Sequence, residues 1–343
     1  MMVLGIETSC DDTGVAIYDD ELGLLFNKVE SQHELHSRYG GVLPELASRA
    51  HSIKLPKLIK LAISQKNLLT NNKVDAIAYT AGPGLVGSLL VGSIFGKSLA
   101  FSLKIPVIPV HHIEGHIFSV MLCQKEIPDF PFLVLLISGG NTQIISVQSV
   151  GKYRLLGRSR DDSVGEVFDK VARHLGLKYP GGYLISSIAN KGNPGKFRFP
   201  RPMIHSDDLD LSFSGLKTSV LNVIQERKLD FQTICDIAYE FEKSVVDTLI
   251  EKCRAALNRE KVDNLVVVGG VGSNFSIRSK IKSFFGNVGK KVFFPKYEFC
   301  TDNGAMIAYA GTLRLKYQIS SSPTFLKKVI DPKLSISKYS EEI

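Results

Sequence analysis

Two histidines in the first half of the chain have the spacing of a metal site. His112 and His116 follow an apolar run over residues 105–110, at a point where a helix is expected to begin. Residues i and i+4 lie on one face of a helix, so both imidazoles can bind the same metal ion. The alternative is a pair of histidines that only cap or pack at the start of the helix.

A two-histidine site is commonly completed by a carboxylate. Asp302 is the best placed candidate, because it follows a predicted strand and precedes a predicted helix. The same position suits a helix N-cap, and an aspartate does both jobs only if its second oxygen stays free. The three side chains predict one divalent metal ion per chain, and they suit iron, zinc or manganese comparably.

The same segment invites comparison with the zinc protease signature H-E-x-x-H, in which a glutamate directly follows the first histidine. Here the glutamate is Glu114, two residues after His112. At 3.6 residues per turn, its side chain points about 200° around the helix and away from the metal. We therefore expect no proteolytic base, and we expect Glu114→Ala to keep much more activity than His112→Ala.

Acidic residues and glycines mark a second group of candidate positions. Asp161, Asp162, Glu166 and Asp169 crowd one short segment, with helical spacing between the last three, and Gly182 follows a predicted turn. Acceptors facing a cleft can bind ribose hydroxyls or an amine, and glycine lets a ligand approach the backbone closely. The alternative for the acids is a solvated helix face.

The elements that must position these residues form a pattern that occurs twice. Residues 4–18 read as two short strands joined by a polar turn, and residues 132–147 repeat this arrangement with small residues in the turn. Around both hairpins, predicted strands alternate with predicted helices, apart from a polar irregular stretch over residues 178–214. Such turns can direct backbone N–H groups at a phosphate or another anion.

Composition and length define the class of protein. The chain has 343 residues, of which 44% are hydrophobic and 22% charged, and its five cysteines are scattered. This length exceeds what one hydrophobic core usually serves, so we expect two α/β lobes facing a cleft and no disulfide scaffold. The net charge of +8 favours an anionic partner such as RNA, although charge alone does not decide.

Two features bear on location. Residues 83–102 are apolar enough to span a bilayer, but Lys97 and several glycines favour a helix packed inside a soluble core. No basic and apolar leader and no Arg/Ser-rich leader precedes the first strand, so neither export nor organelle import is expected. The sequence therefore predicts a cytoplasmic protein without membrane attachment.

Taken together, the motifs resemble those of the TsaD family of bacterial tRNA N6-adenosine threonylcarbamoyltransferases, once labelled glycoproteases. The resemblance covers nearly the whole chain, through residues 5–14, 41–51, 111–116, 138–140, 161–170, 212–218, 269–274 and 300–303. It implies an α/β fold of the duplicated, two-lobed, actin-like ATPase (ASKHA) type with a central cleft. The implied first lobe is 1–108, completed by a helix at 303–318, and the second lobe with the metal and substrate site is 109–302. The sequence itself predicts a polar, loose tail over 319–343.

The resemblance also implies the site and the reaction. The metal would be held by His112, His116 and Asp302, with Fe²⁺ the ion that the family suggests, and no catalytic residue is assigned beyond this metal site. The reaction would move a threonylcarbamoyl group from threonylcarbamoyl-AMP to N6 of the adenosine 3′ of the anticodon (t6A37) in tRNAs reading ANN codons, releasing AMP. Implied partners are tRNA, a paralogous TsaB-like subunit and a small TsaE-like ATPase. The implied substrate-binding residues are Ile137, Ser138, Gly139, Gly140, Asn141, Asp169, Gly182 and Asn274.

The chain departs from the family pattern at three positions. Asn141 stands where the family usually has His, Asp12 where it has Glu, and Tyr183 where it has Pro. Asn141 cannot carry a proton at neutral pH, which puts any acid or base role there in doubt. Rival interpretations are an ATP-dependent kinase of the same fold, a noncatalytic binding subunit, and a metalloprotease, which the position of Glu114 disfavours.

Overall fold

A computed structural model gives the fold of the chain and describes residues 1–39, 41–65, 74–178, 181–319 and 330–341. The chain divides into two compact units. Unit 1 comprises Met1–Ile127, Ser149–Tyr153 and Pro295–Ile343, and unit 2 comprises Pro128–Gln148 and Arg154–Phe294.

Ten strands and eleven α-helices occur in the described residues. The strands are β1 (Met2–Glu7), β2 (Asp12–Asp19), β3 (Gly23–Ser31), β4 (Ala76–Gly82), β5 (Val107–His111), β6 (Phe132–Ile137), β7 (Thr142–Ser149), β8 (Lys152–Arg158), β9 (Asn264–Val268) and β10 (Lys291–Phe293). The helices are α1 (His33–Ser37), α2 (Pro44–Gln65), α3 (Val86–Leu103), α4 (His112–Ser119), α5 (Val164–His174), α6 (Gly181–Ala189), α7 (Ser214–Glu226), α8 (Phe231–Glu260), α9 (Phe275–Asn287), α10 (Gly304–Lys316) and α11 (Ile336–Glu341).

The two sheets have the same strand order. The first runs β3-β2-β1-β4-β5 and the second β8-β7-β6-β9-β10. In each sheet an antiparallel hairpin, β1–β2 or β6–β7, has its first strand paired in parallel with a later strand, β4 or β9. The repeat seen in the sequence is therefore a repeat of sheet topology.

The central strands are buried along their whole length. All six residues of β1 and all six of β6 are buried, including the terminal Glu7. Continuous burial requires cover on both faces of a sheet. Helices α10, α2 and α3 lie against the first sheet, and the 30-residue α8 lies against β6 and β9 of the second.

The boundaries of the two units differ from the expected lobe boundaries, which lie between residues 108 and 109 and between residues 302 and 303. Residues 109–127 and 295–302 lie in unit 1, so His112, His116 and Asp302 all belong to unit 1 rather than to the second unit. The physical reason is continuity, because β5 runs directly into α4 and α4 packs on α10. The irregular stretch expected at 178–214 is also interrupted, by α6.

The C-terminal residues differ from the loose polar tail that the sequence predicts. Ile336 and Tyr339 of α11 are buried, at 2% and 1% exposure. Residues 320–329 and 342–343 of that tail lie outside the described residues. The described part of the tail is a packed element of unit 1.

Helix α3 is the apolar stretch that the sequence singled out. By length and composition alone it could cross a membrane, and a third of its 18 residues are buried. Its small residues Ser88, Gly92, Ser93 and Gly96 are on the buried side, and the helix packs on β4 and α2. This is the arrangement of a helix that covers a sheet with one face.

Gly304→Ala should destabilise unit 1. A Cβ atom at this position would lie 2.5 Å from the Val15 carbonyl carbon and 2.6 Å from the Ala16 nitrogen, so α10 would have to move off the sheet. We expect a loss of about 1–3 kcal/mol in the free energy of unfolding, measured by urea denaturation. The matched control is Gly286→Ala near the end of α9, where nothing lies within 4 Å and alanine favours the helix. Equal stability of the two variants would contradict the close packing of α10.

Candidate metal centre and substrate loops

The two histidines lie on the first turns of α4. His111 ends β5 and caps the helix, since its Nδ1 accepts a hydrogen bond from the Ile113 N–H at 3.1 Å. His112 and His116 then fall one turn apart, with ring centroids separated by 4.7 Å. The capping role belongs to His111, which leaves the other two imidazoles available as ligands.

Asp302 reaches the same place from the start of α10. The N-cap of α10 is Asn303, whose Oδ1 accepts a hydrogen bond from the Met306 N–H at 2.9 Å. The alternative interpretation of Asp302 as the helix cap is therefore wrong. Its carboxylate lies instead beside the histidines, with Oδ1 3.1 Å from His116 Nε2 and 3.6 Å from His112 Nε2.

These three side chains fit a divalent metal ion. One ligand atom from each of His112, His116 and Asp302 lies within 4.8 Å of the others. Two imidazoles and one carboxylate form the donor set of many iron and zinc sites, with coordination positions left for substrate. The geometry of these residues therefore lets one metal ion be held by all three side chains.

Glu7 is a functional residue that the sequence did not single out. Its carboxylate is fully buried at the end of β1, and Oε2 lies 3.2 Å from His112 Nδ1. A carboxylate can only accept here, so Nδ1 carries a proton, and Nε2, which faces Asp302, is the nitrogen that can exchange its proton for a metal. Thr80 and the Ser9 N–H also donate to Glu7. A glutamate ending an otherwise apolar strand was the available signal.

The two proposed histidine ligands differ in the hydrogen bonding of their Nδ1 atoms. Glu7 orients the ring of His112, whereas His116 Nδ1 is buried without a hydrogen-bond partner among the residues that the structure describes. Metal-bound histidines usually donate their second N–H to an acceptor. His112 is therefore the ligand held by hydrogen bonding, and His116 is held by packing.

The electrostatics of the centre follow from its carboxylates. Burial lowers the pKa of His112, but Asp302 and Glu7 outweigh burial and raise this pKa to about 9. Burial raises the pKa of Asp302, yet the neighbouring His112 and His116 lower it to about 2. Burial, with a smaller effect of Asp302, raises the pKa of Asp12 to about 6. The site is thus rich in negative charge, as a divalent cation requires.

Glu114 lies on the other side of α4, as its spacing predicts. Its carboxylate is fully buried and pairs with Arg314, whose Nη1 lies 3.0 and 3.1 Å from the two oxygens. It cannot serve as a base at the metal. The change Glu114→Ala removes no metal ligand, but it would destabilise the protein because it leaves the buried Arg314 guanidinium without its counterion.

The glycine-rich turn of unit 2 connects β6 to β7. It is closed by a hydrogen bond from the Ser138 N–H to the Asn141 carbonyl at 2.8 Å, and Ile137 is the last buried residue of β6. A Cβ added at Gly139 or Gly140 would meet nothing within 4 Å. The turn therefore borders open space, where a ligand can approach its backbone.

A pocket of about 430 Å³ lies beside this turn in unit 2. Its lining includes Gly140, Asn141, Ser163 and the two arginines Arg158 and Arg160. The Arg160 guanidinium is paired with Asp208 and Asp210, and the backbone N–H of Arg158 donates to Asp210 Oδ1 at 3.0 Å. The volume and polarity suit a small polar ligand group.

Three further predicted substrate residues of unit 2 share one hydrogen-bonded loop. Asp169 accepts a hydrogen bond from the Gly181 N–H at 2.7 Å, and Asn274 Nδ2 donates to the Gly182 carbonyl at 3.4 Å. Asn274 Oδ1 caps α9. The structure brings Asp169, Gly182 and Asn274 together, and the side chains of Asp169 and Asn274 are hydrogen-bonded to the backbone at the start of α6.

Glu242 is a second residue that the sequence did not single out, and it is linked to Asn274 through Ser186. It is fully buried in α8, and its carboxylate accepts hydrogen bonds from Ser186, Ser276 and Lys280. Ser186 Oγ in turn accepts from Asn274 Nδ2 at 2.6 Å. Its position on the amphipathic helix, among apolar residues, gave no sign of these partners.

The crowding of Asp161 and Asp162 suggested ribose acceptors, and in the structure both carboxylates are engaged by groups of the protein. Asp161 accepts four hydrogen bonds from Ser212, Phe213 and Ser214. Asp162 pairs with Lys170 and Lys217. Burial raises the pKa of Asp161, but these hydrogen bonds lower it to about 2. Both acids hold the start of α7 in place.

The chain matches one protein family in sequence and several solved structures in fold. A family model described as "TsaD: tRNA N6-adenosine threonylcarbamoyltransferase" matches residues 23–309. Solved structures of similar fold include HypF from T. kodakarensis, at 15% identity and a TM-score of 0.65 over 95% of this chain and 48% of that one. Full-length HypF in its phosphate- and nucleotide-bound form matches at 12% identity and a TM-score of 0.62, over 93% and 47%.

A third match is nearly full length in both chains. It is the activator of 2-hydroxyisocaproyl-CoA dehydratase from Clostridium difficile with bound ADPNP, at 12% identity and a TM-score of 0.52, over 94% of this chain and 98% of that one. This chain spans about half of the HypF structures. At these identities the matches show the fold alone, and they confirm the duplicated, actin-like α/β fold expected from the sequence.

Asp302→Ala should abolish tight metal binding. Two imidazoles alone make a weaker site, so we expect the metal content after desalting to fall from about one ion per chain to less than about a tenth of that. Elemental analysis of protein loaded with Fe²⁺ or Zn²⁺ provides the measurement. The control is Asp263→Ala, which removes an exposed carboxylate of unit 2. Full occupancy in Asp302→Ala would remove this residue from the site.

Proposed function

The chain belongs to the TsaD family of tRNA N6-adenosine threonylcarbamoyltransferases, and from this we propose its reaction. It transfers the threonylcarbamoyl group of threonylcarbamoyl-AMP to N6 of the adenosine 3′ of the anticodon in tRNAs reading ANN codons, forming t6A37 and releasing AMP. The family match over residues 23–309 supports the class of reaction. The observation that carries the proposal is the cluster of His112, His116 and Asp302 at one place in unit 1.

The reaction needs positioning more than a strong nucleophile. The N6 amine forms a bond to the carbamoyl carbon, the bond from that carbon to the phosphate oxygen breaks, and the amine loses a proton. Because the mixed anhydride is already activated, no covalent enzyme intermediate is required. Burial, together with Asp11 and Asp302, raises the pKa of the nearby Cys10 thiol, which agrees with a mechanism without a thiolate.

The metal site and the glycine turn have separate tasks in this proposal. His112, His116 and Asp302 would hold the metal, which when bound acts as a Lewis acid on the threonylcarbamoyl end. Glu7 holds the His112 ring through Nδ1, so Nε2 is the nitrogen directed at the metal site. In unit 2 the backbone of Gly139 and Gly140 is open to an anionic group, and we assign the adenylate to this turn.

Asn141 takes a binding role in the proposed reaction. Its backbone closes the 138–141 turn, and its side-chain oxygen accepts a hydrogen bond from Gln143. An amide donates and accepts hydrogen bonds but carries no proton at neutral pH. We therefore give Asn141 the task of orienting the substrate, and we give it no acid or base step.

The rival interpretations make different products. An ATP-dependent kinase on the same fold would release ADP and would hold Mg²⁺ through carboxylates and phosphates, with no use for two imidazoles. A protease would need Glu114 at the metal, and that carboxylate is committed to Arg314. A noncatalytic subunit would release neither nucleotide.

Partners and location are part of the proposal. Proteins of this family act on tRNA, and we propose that this chain works in the cytoplasm with a TsaB-like paralogue and a TsaE-like ATPase. Helix α3 offers a surface for the paralogue, because Val86, Leu90 and Ile94 follow one another at helical spacing with exposures of 56%, 41% and 58%. Exposed apolar stripes of this kind commonly mark protein interfaces.

His112→Ala should abolish transfer while the protein stays folded. The ring contributes little core volume but is one of three proposed ligands, so t6A and AMP formation with tRNA and both partners should fall at least about a hundredfold. Nucleoside mass analysis and melting temperature are the measurements. His174→Ala, which removes an exposed imidazole at the end of α5, is the control.

Cells depleted of the protein test the same proposal without reconstitution. Their tRNA should lose threonylcarbamoyladenosine. Unchanged modification in cells that have no second copy, or ADP as the product of the purified system, would overturn the proposed reaction.

Ile94→Asp should weaken binding of the TsaB-like paralogue. A carboxylate in the middle of a buried apolar contact cannot be solvated, so we expect an increase of at least about tenfold in the dissociation constant. Calorimetry with the purified paralogue provides the measurement. Val288→Asp places the same charge on an exposed apolar position of unit 2 and should bind normally. Equal affinities would place the interface elsewhere.

A further inference from the structure

The face of α4 that points away from the metal ligands carries a buried charge cluster. Glu114 and Arg314 have exposures of 0% and 2%, and one Arg314 nitrogen contacts both carboxylate oxygens. Tyr153 donates to Glu114 Oε1 at 2.6 Å. These contacts hold the helix at Glu114, two positions from each of the proposed metal-binding histidines.

The C-terminal segment completes this cluster. The ring of Tyr339 in α11 lies against the Arg314 guanidinium, 4.4 Å from the ring centroid, and its hydroxyl is 3.4 Å from Glu114 Oε2. The same hydroxyl donates to the Pro109 carbonyl at 2.9 Å and accepts from the His111 N–H at 3.3 Å. One fully buried tyrosine thus contacts the end of β5, the start of α4 and the ion pair.

A second contact joins the same segment to the residue before the metal ligands. His111 Nε2 lies 3.1 Å from the Leu334 carbonyl oxygen, while its Nδ1 caps α4. A carbonyl oxygen accepts, so Nε2 carries the proton and Nδ1 is free to accept from Ile113. The C-terminal segment therefore sets the tautomer that lets His111 cap the helix.

These contacts leave α4 little freedom to move. A rotation or slide of the helix would separate Glu114 from Arg314, and a buried charge without its partner is strongly unfavourable. His112 and His116 are carried on the same two turns, so any shift of Glu114 shifts both proposed ligands. The position of the histidines depends on a cluster that does not touch the metal.

We propose that Tyr339 is a positioning residue for the metal centre, acting through Glu114, Arg314 and His111 on the orientation of His112 and His116. The inference rests on the proposed metal site. Outer groups that orient metal ligands typically change metal affinity by about 10–100-fold when they are removed. The C-terminal segment therefore belongs to the metal centre, although the sequence predicts a loose tail there.

Tyr339→Phe tests the proposal in the full-length protein. The substitution keeps the ring against Arg314 and removes only the hydroxyl. Loaded with Co²⁺, the variant should lose the ion to a chelator about tenfold faster than the wild type, and its visible absorption spectrum should shift because the ligand geometry changes. Tyr309→Phe is the matched control, since Tyr309 also lies in unit 1 and its ring packs on Tyr18, which is not part of the charge cluster.

A second variant separates positioning from general stability. Glu114→Gln combined with Arg314→Met removes both buried charges and keeps similar volumes, so no unpaired charge remains in the core. We expect the metal-free melting temperature to stay near that of the wild type and the Co²⁺ loss to accelerate as in Tyr339→Phe. Wild-type retention and spectrum in both variants would overturn the positioning role.

The outcomes distinguish this proposal from the one on which it rests. If the wild-type protein binds no Co²⁺, the proposed metal centre itself fails and the positioning role falls with it. If the wild type binds Co²⁺ and Tyr309→Phe and Tyr339→Phe release it equally slowly, the metal centre stands and the role of Tyr339 is wrong.

Discussion

The close approach of α10 to the first sheet is the constraint on which the metal centre depends. A Cβ atom at Gly5 would lie 2.4 Å from both the Ala308 nitrogen and the Gly304 carbonyl oxygen, so only glycine permits this contact. Asp302 precedes the helix by two residues and is delivered to the histidines by the same packing. About 15 Å further along α10, the Arg314 side chain forms its ion pair with Glu114. Helix α10 therefore fixes α4 from both of its sides.

The buried acids of unit 1 are neutralised in two different ways. Glu114 is matched by Arg314, a cation that stays charged at every accessible pH. Glu7 and Asp302 are matched by imidazoles, which can exchange a proton for a metal ion. This difference assigns the acids their roles, because a permanent ion pair can hold a helix, whereas a carboxylate beside an imidazole can take part in metal binding.

Much of the fold could be predicted from local pattern, and much of the site could not. Both hairpins occur where the apolar runs and polar turns of residues 4–18 and 132–147 predict them. Helix α11 escaped prediction because only Ile336 and Tyr339 of a polar segment are buried. Helical spacing identified His112 and His116. In contrast, Glu7, Glu114 and Asp161 form side-chain contacts with residues more than 30 positions away in the sequence, which local pattern does not reveal. Local crowding of acids does not reveal which of them are already paired.

The two hairpins show how one topology can serve two chemistries. In both sheets the first strand of the hairpin is central, because it pairs on one side with its hairpin partner and on the other with a parallel strand. The same strand ends at the turn of the hairpin. After β1 the strand ends in Glu7, whose carboxylate orients a metal ligand. The corresponding strand β6 ends in Ile137, and a Cβ atom added at Gly139 or Gly140 in the turn after it would meet nothing within 4 Å. A charged residue at the strand end gives a site for cations, whereas glycines at the turn expose backbone N–H groups to anions. The duplication thus supplied two equivalent turn positions, and the residues placed in them determine what each can bind.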